Sequence, residues 1–360
     1  MAAPSGAGRL GCAQAVVTPA ADIAAPENRG SKRRIFARVL AAVVGLALVA
    51  YLVRDAGPDR VAAVLWQAGR WLPVILALEA FQVGTDFFAL RSILGERWRH
   101  IPAATWVRSS AIAYAMMTLL PAGRAAGEVT RATLFSRFVG TPRAATTSTC
   151  LQAAYLSANG ILSLVACLAV ASRFGLQSPL AMLLAGNVVF QAIIAGSLLA
   201  ILRAARIGRW LDRMRRRFIP GAKESPPLDP EERRRIPWRA ALVCSVGRMA
   251  QTLQYGIILH AVGGVLTVRN AFITHGIHLV GATLGDMLPN QMGVTDGFFR
   301  AFAADLGFSD EPARALSIAF VIRIAQLTLA ATCVVVASLT RHAAARDGAS
   351  PASMRADARS

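Results

Sequence analysis

Two short stretches of the chain share one pattern: LLPAGRAAGEVTR at residues 119–131 and LPNQMGVTDG at residues 288–297. In each, a Leu-Pro pair is followed by an acidic residue seven positions after the proline, Glu128 in the first copy and Asp296 in the second. Long apolar runs flank both copies. A proline, small residues and an acid at membrane depth, once in each half of the chain, are typical of transporters built from internal repeats. The pattern therefore predicts a membrane protein with two related halves.

The composition around these stretches indicates an integral membrane protein. Of the 360 residues, 55% are hydrophobic and only 16% are charged, and the mean hydropathy is +0.47. A soluble domain carries about a quarter charged residues, whereas runs of roughly 20 apolar residues can cross a bilayer. We therefore predict an all-α polytopic membrane protein with about eight transmembrane helices. The candidate runs are Phe36–Val53, Leu72–Leu94, Ala103–Leu120, Ala144–Ala171, Leu180–Leu202, Ala240–Val262, Ala271–Leu288 and Ala313–Leu339.

The net charge of +19 is interpreted as an orientation signal. Basic residues cluster beside the apolar runs, as the positive-inside rule describes, and no groove-reading or stacking element of a nucleic-acid-binding domain is visible. The segment 203–239 has twelve basic and five acidic residues, and we predict that it is a cytoplasmic loop between membrane repeats at residues 33–202 and 240–340. Residues 1–32 and 341–360 are predicted disordered tails. Both termini are then cytoplasmic, in a bacterial-type inner membrane.

The charge bias also constrains the path of the chain near the two motifs. If the basic loops are cytoplasmic, Ala103–Leu120 and Ala144–Ala171 both start on that side, so either residues 121–139 return the chain or Ala103–Leu120 is itself re-entrant. That stretch contains Arg124 and Glu128 and is too polar to face lipid; irregular backbone at this depth is tolerated only inside protein or along a watery cavity. The second copy enters from the opposite side. The sequence predicts two re-entrant or broken-helix elements in an inverted repeat.

The charged and kink-forming residues of this region are the candidate substrate-binding residues. A carboxylate at membrane depth usually faces a cavity and has a partner. Spacings of three and four place Arg124, Glu128 and Arg131 on one helical face, and Asp296 and Arg300 repeat that spacing. Two interpretations stay open: ion pairs that fix the broken helices, or a polar cavity in which arginine binds a phosphate-bearing headgroup. The candidates are Arg124, Gly127, Glu128, Arg131, Pro289, Asn290, Gly293, Asp296, Arg300, Arg248 and Arg323.

Other polar residues within the apolar runs suggest ion pairs but no metal or cofactor. Glu79 and Asp86 lie seven residues apart on one predicted helix, and Arg248 and Arg323 are their expected counter-charges. The pair of histidines at 275 and 278 offers too few ligands for a metal site. No phosphate-binding loop, dinucleotide fingerprint or nucleophile elbow is present. We therefore predict no metal, no cofactor and no enzymatic activity.

The two motifs resemble the two signatures of the lysylphosphatidylglycerol synthase transmembrane region, also called the flippase-like family. The resemblance covers residues 33–340, and the order and spacing of the motifs among apolar runs make it specific. In the best-understood members this region moves an aminoacylated phospholipid across the bilayer after a separate soluble domain makes it. The resemblance therefore implies a lipid flippase. By resemblance, the signature residues are Gly127, Glu128 and Arg131 in the first motif and Pro289, Gly293 and Asp296 in the second.

The chain departs from the family pattern at a few positions. The second signature usually has glutamate in place of Asp296 and Gly-Gly in place of Gln291-Met292, and a small residue is more usual than Arg124. These departures leave the lipid substrate open. After Leu339 we expect only a short Ala- and Arg-rich tail, too small for an aminoacyltransferase, so synthesis of lysylphosphatidylglycerol is not expected.

Three functions remain open at this stage. The first is a flippase or transporter that moves a phospholipid or lipid-linked headgroup between leaflets. The second is a non-catalytic accessory subunit of a lipid-modification pathway, with lipid-biosynthesis enzymes as partners. The third is a membrane-embedded enzyme that uses the same acids for general acid–base chemistry on a headgroup. In all three the partners are membrane lipids and not nucleic acid.

Overall fold

The computed structural model describes residues 43, 45–120, 123–203 and 237–356. The predicted tail at residues 1–32, residues 204–236 of the basic segment and Pro121 of the first motif lie outside these ranges. Within them the chain is helical and contains no strand. The helices are, in chain order, α1 (residues 45–56), α2 (Pro58–Ala68), α3 (Leu72–Leu94), α4 (Ala103–Leu119), α5 (Gly123–Val139), α6 (Thr141–Phe174), α7 (Pro179–Arg203), α8 (Trp238–Ala261), α9 (Val268–Gly285), α10 (Val294–Ala301) and α11 (Pro312–Ala356).

The predicted apolar runs that lie wholly within the described residues coincide with helices, while of Phe36–Val53 only residue 43 and residues 45–53 are described. Helix α3 has the predicted bounds because Pro73 stands in its first turn and Gly95, with a φ of 57°, ends it in a conformation that favours glycine. Helices α4 and α8 agree with their predicted runs to within about two residues. The short helix α2 was not predicted, because its first turn contains Asp59 and Arg60 and its sequence includes no long apolar run.

Four helical segments of the described residues are long and apolar enough to cross a membrane: Pro58–His100, Thr141–Phe174, Pro179–Leu202 and Pro312–Thr340. The predicted number of about eight spans is therefore supported only in part. Helix α4 has 17 residues, while α8 and α9 carry buried polar side chains such as Arg248, Gln254 and His275. Those side chains lower the hydropathy of α8 and α9 because they are polar, and they are tolerated there because they are buried in the bundle and do not face lipid.

Helix α11 continues to Ala356, well beyond the end of its apolar run at Leu339. This differs from the predicted disordered tail at residues 341–360. The physical reason lies in the composition, since alanine and arginine are among the residues with the highest helix propensity.

Both Leu-Pro motifs break a helix in the predicted place. Leu120, after α4, has φ and ψ of −108° and 146°, and Leu288, after α9, has −97° and 144°. A residue before proline is pushed out of the helical region into extended backbone, which explains the shared conformation. After each break the chain forms a second helix, α5 or α10, which packs against the helix before the break. Each motif is thus the bend of a helical hairpin.

Glycines allow the two arms of the first hairpin to approach closely. A Cβ atom on Gly123 would lie 2.0 Å from the Met116 carbonyl oxygen, and one on Gly127 would lie 2.7 Å from the Ala113 carbonyl oxygen. Both distances are shorter than any real contact, so only glycine fits at these positions. Small residues four apart permit such close helix packing in membrane proteins. Gly127, a predicted site residue, therefore packs α5 onto α4.

The second hairpin achieves its bend with positive φ angles. Gly293, before α10, has a φ of 81°, while Asn290 and Gln291 have φ angles of 46° and 55°. Glycine and, less readily, asparagine adopt this region, whereas a long side chain such as that of Gln291 is disfavoured there by about 1–2 kcal/mol. The chain therefore keeps a glycine-like backbone at a position where it has glutamine. Gly297, by contrast, has open space around it.

Candidate functional site

A cavity of about 360 Å³ lies where the two helix breaks meet. Its wall includes residues of α3 to α9, the backbone around Leu120 and Leu288, and Gln326 of α11. The volume falls in the range of small-molecule sites, about 300–1,000 Å³. Charged side chains from both halves of the chain line it: Glu79, Asp86, Arg124, Glu128, Arg131, Arg248 and Asp286.

The acid of the first motif lies on this cavity within an ion-pair cluster. The Oε1 atom of Glu128 accepts a hydrogen bond of 2.6 Å from Nη1 of Arg131, the i,i+3 pair that the sequence predicts. Nη2 of Arg131 lies 3.7 Å from Oδ2 of Asp86 on α3. The Arg131 side chain is buried, but both acids keep a small exposed fraction toward the cavity, 13% for Glu128 and 17% for Asp86. Arg131 is thus neutralised from two sides.

Two other arginines of the cavity face one aromatic ring. The guanidinium carbon of Arg248 lies 5.3 Å from the ring centroid of Tyr155, and that of Arg124 lies 6.0 Å from the same centroid. An arginine within about 6 Å of a ring face is attracted by its quadrupole. Tyr155 therefore holds two positive charges close together on one wall, an arrangement that suits an anion.

These two arginines are less completely paired than Arg131. Nε of Arg124 lies 4.0 Å from Oδ1 of Asp286, at the limit of an ion pair. Arg248 is buried and donates one hydrogen bond of 2.5 Å to Oε1 of Gln251, but its Nε atom has no hydrogen-bond partner. No carboxylate of the described residues lies within ion-pair distance of Arg248. A buried cation without a paired carboxylate is costly, and an anionic ligand would compensate it.

Glu79 is held in a separate hydrogen-bond network at the cavity wall. Its Oε1 atom accepts a hydrogen bond of 2.8 Å from the Tyr114 hydroxyl, and its Oε2 atom accepts one of 3.0 Å from the Gln254 side chain. The sequence suggested Arg248 or Arg323 as its counter-charge. The structure instead satisfies this acid with neutral donors, which the spacing of charges along the sequence does not reveal.

Many unsatisfied polar atoms surround the same cavity. A buried polar atom without a partner loses about 1–3 kcal/mol, so such atoms are rare in folded proteins and often mark a binding site or water. More than half of those in the described residues belong to side chains of this cavity. They are Gln82 Oε1, Asp86 Oδ1, Glu128 Oε2, Arg131 Nε, Asn159 Oδ1, Gln191 Oε1, Arg248 Nε, His278 Nδ1 and Asn290 Nδ2.

The rim of the cavity is apolar. It is lined by Met117 and Leu120 at the first break, by Phe190 and Ile194 of α7, and by Met287 beside the second break. Each of these side chains is exposed, from 36% for Ile194 to 73% for Met287. The cavity therefore combines a charged interior with an apolar edge.

The acid of the second motif is placed differently from that of the first. Asp296 has no exposed side-chain surface and forms a bidentate pair with Arg323 of α11, with both distances 2.8 Å. Its Oδ2 atom also accepts a hydrogen bond of 2.7 Å from the backbone N–H of Gly293. This carboxylate is fully used in fixing the start of α10 to α11. It does not line the cavity.

The i,i+4 partner that the sequence suggested for Asp296 is also different in the structure. Arg300 pairs with Asp55 of α1, and not with Asp296. The bidentate geometry offered by Arg323 is stronger than a pair between neighbouring turns, since two parallel hydrogen bonds are made at once. The predicted pairing of Arg323 with Glu79 or Asp86 is wrong for the same reason.

The predicted site residues thus divide into two groups. Arg124, Glu128, Arg131, Arg248 and Asn290 line the cavity. The other six do not line it: Gly127, Pro289, Gly293, Asp296, Arg300 and Arg323 shape or fasten the helices around it.

Sequence reasoning missed several residues of the cavity wall. Tyr155 lies inside an apolar run, and only its hydroxyl group distinguishes it from a lipid-facing aromatic residue. Asp286 precedes the second Leu-Pro pair by two residues, and that position was a usable signal.

Histidine 275 contacts Thr252 and Gln251, at 2.7 Å and 3.2 Å, and among the described residues no three metal-binding side chains converge.

Comparison with known proteins identifies the family. The searches of curated proteins and of solved structures each gave no match. The family described as Lysylphosphatidylglycerol synthase TM region matches residues 38–333, which is most of the chain and includes both motifs. The protein therefore belongs to the family of the lysylphosphatidylglycerol synthase transmembrane region.

Proposed function

We propose that this protein is a lipid flippase or transporter, which moves a phospholipid or lipid-linked headgroup between the leaflets of a membrane. One observation carries the proposal: a charged internal cavity, at the junction of two helix breaks, has an exposed apolar rim. A headgroup needs a polar compartment to cross the hydrocarbon layer, while its acyl chains need an apolar edge. The cavity offers both at one place.

The charges of the cavity favour a phosphate-bearing headgroup. Arg124 and Arg248 both lie beside the aromatic ring of Tyr155, and Arg248 has no carboxylate partner in the described residues. Guanidinium groups bind phosphate through paired, charge-assisted hydrogen bonds. Arg131 is a weaker candidate, because Glu128 and Asp86 already neutralise it.

The packing of helices supports two related halves. If α3 is exchanged with α8, α4 with α9, α5 with α10 and α6 with α11, pairs of these eight helices that pack together are exchanged with other pairs that pack together, whereas α7 has no counterpart. The α3–α8 pair maps onto itself, and α4–α11 maps onto α6–α9. In the same way α4–α5 maps onto α9–α10, and α5–α6 maps onto α10–α11. Such an exchange is what a pseudo-two-fold axis between repeats produces. We infer an inverted repeat, with the inversion itself resting on the charge bias of the loops.

We also propose transport and not catalysis, in a bacterial-type inner membrane with cytoplasmic termini. Lipid-biosynthesis enzymes are the proposed partners. An accessory role without transport, or chemistry on the headgroup, would give a different result in the experiment that follows.

The test is leaflet exchange in liposomes that contain the purified protein and headgroup-labelled phosphatidylglycerol, followed by a quencher added outside. We expect exchange above that of empty liposomes. Arg248→Gln should lower the rate roughly tenfold, since a hydrogen bond to a charged group contributes about 1.5–3 kcal/mol. Arg248→Lys should retain part of the rate.

Arg269→Gln is the matched control, because it makes the same charge change at an exposed residue of α9 away from the cavity. Its rate should equal that of the wild type. Exchange absent for every member of a broad lipid panel would favour the accessory role. A chemically altered headgroup, detected by mass spectrometry of the recovered lipid, would favour an enzyme.

A further inference from the structure

A second concave surface lies between α4 and α11, apart from the charged cavity. It is an open groove of about 400 Å³. Apart from Arg108 and Ser338 its walls are apolar, with Ile112, Met116 and Leu119 from α4 and Val334 and Ala337 from α11. Leu119 and Val334 are nearly half exposed. In a membrane protein, an exposed apolar groove between two helices faces acyl chains and not water.

One arginine stands in this apolar groove. Arg108 of α4 lines it, and its Nε atom is buried without a hydrogen-bond partner. No carboxylate is among the groove residues. A guanidinium at membrane depth without a paired carboxylate is unfavourable, and a ligand that carries a negative oxygen would supply the counter-charge.

The length of the groove matches one leaflet. Along α4 it extends from Arg108 to Leu120, about 18 Å at the helical rise of 1.5 Å per residue. The hydrocarbon core of a bilayer is about 30 Å thick, so one leaflet contributes about 15 Å. Arg108 also lies near the basic end of the bundle, where Arg91 and Arg99 are found.

We propose that this groove binds a membrane phospholipid, with one acyl chain along α4 and α11 and its phosphate on the guanidinium of Arg108. The lipid is a resident ligand at the outside of the bundle and not the transported substrate. Charge decides between possible occupants: no carboxylate lines the groove, so a neutral lipid or an apolar helix would leave the Arg108 guanidinium without a counter-charge, whereas a phosphate supplies one. The groove and the charged cavity share one wall residue, Leu120.

The experiment uses the full chain in nanodiscs that contain phosphatidylglycerol with a photoactivatable diazirine in the middle of one acyl chain. After illumination, the cross-linked peptides are mapped by mass spectrometry. We expect labelling concentrated between residues 112 and 119 and around Val334 and Ala337. A diacylglycerol with the same photoactivatable chain, which lacks the phosphate, should label the groove roughly tenfold less, as the loss of a charge-assisted hydrogen bond predicts.

Two variants test the two parts of the site. Arg108→Gln should lower groove labelling by phosphatidylglycerol to the diacylglycerol level, while Arg99→Gln, an exposed arginine near the same end, should leave it unchanged. Ala337→Phe fills the groove but keeps Arg108, and it should also abolish the labelling. Elution as a single species in size-exclusion chromatography verifies that each variant is folded.

Three results would overturn the proposal. The first is labelling spread evenly over lipid-facing residues of other helices, such as Met182 and Val189 of α7. The second is equal labelling by diacylglycerol, and the third is full labelling in a folded Arg108→Gln protein. The assay requires no movement of lipid between leaflets. A negative result here therefore leaves the transport proposal standing, and a failure of leaflet exchange leaves the groove site standing.

Discussion

The two Leu-Pro breaks have nearly the same backbone conformation, but the acids that follow them have different surroundings. Glu128 lies on a polar cavity, shares Arg131 with Asp86 and keeps one oxygen without a partner. Asp296 is fully buried, and both of its oxygens are occupied by Arg323 and the Gly293 amide. The comparison separates two interpretations that the sequence left open: the first acid belongs to a cavity, and the second is a structural fastening.

This difference shows how two copies of one motif can diverge. The shared part is the bend, which proline and extended leucine impose through local sterics. The part that differs is the partner of the acid, which depends on which helix packs nearby. A repeated motif therefore predicts a repeated backbone more reliably than a repeated role.

The largest expected effect is the loss of the buried pair in the second copy. Asp296→Asn leaves Arg323 without its carboxylate, and removing one partner of a buried pair typically destabilises a protein by about 3–5 kcal/mol. Glu128→Gln should lower the free energy of unfolding by only about 1 kcal/mol, because Arg131 keeps Asp86. Chemical denaturation in mixed micelles measures both.

The double variant Asp296→Asn with Arg323→Gln serves as the control for this prediction. It should be more stable than Asp296→Asn alone, since no unpaired charge remains. Equal losses for the Glu128 and Asp296 variants would remove the distinction between the two copies.

The next effect comes from the close approach of α5 to α4. Gly127→Ala places a Cβ atom 2.7 Å from the Ala113 carbonyl oxygen, a backbone atom that has no rotamer to adjust. Overpacking of this kind destabilises by about 1–3 kcal/mol. Gly297→Ala, beside Asp296, meets nothing within 4 Å and should be neutral or slightly stabilising, because alanine favours a helix. Thermal unfolding of the two variants side by side measures the difference, and a Gly127→Ala protein as stable as wild type would show that the first hairpin is loosely packed.

The smallest effect is expected for the remaining ion pair of the second motif. Arg300 and Asp55 pair with side chains that are 33% and 42% exposed. Exposed pairs contribute about 0–1 kcal/mol, so Arg300→Gln should change stability by less than 1 kcal/mol. Asp55→Asn should have the same small effect, and the double variant should add nothing to either. A loss as large as that of Asp296→Asn would mean that α1 is fastened to α10 as firmly as α11 is.

Sequence patterns were sufficient for most of the long helices and for the breaks. An apolar run such as Leu72–Leu94 is bounded by local signals, a proline at its start and a glycine at its end, so its limits can be read without tertiary structure. The Leu-Pro breaks follow from the same local sterics. Helix α2 was missed because its short, partly polar sequence becomes a helix without a long apolar run.

The partners of charged residues were predicted only when they were neighbours on one helix. Glu128 and Arg131 are three residues apart, and their pair was predicted. Asp296 and Arg323 are 27 residues apart on different helices, and Arg131 and Asp86 lie on α5 and α3. Such pairs depend on how helices pack, and the spacing of charges in one chain contains too little information to choose among several arginines and acids.

The position of Leu120 has a consequence for how the charged cavity is insulated from lipid. Its side chain borders the charged cavity on one side and the lipid-facing groove on the other. Where a compartment of charged groups comes this close to hydrocarbon, only the side chains between them keep the charges out of the lipid. A smaller residue at this position would therefore bring the charged groups of the cavity closer to the acyl chains beside the groove.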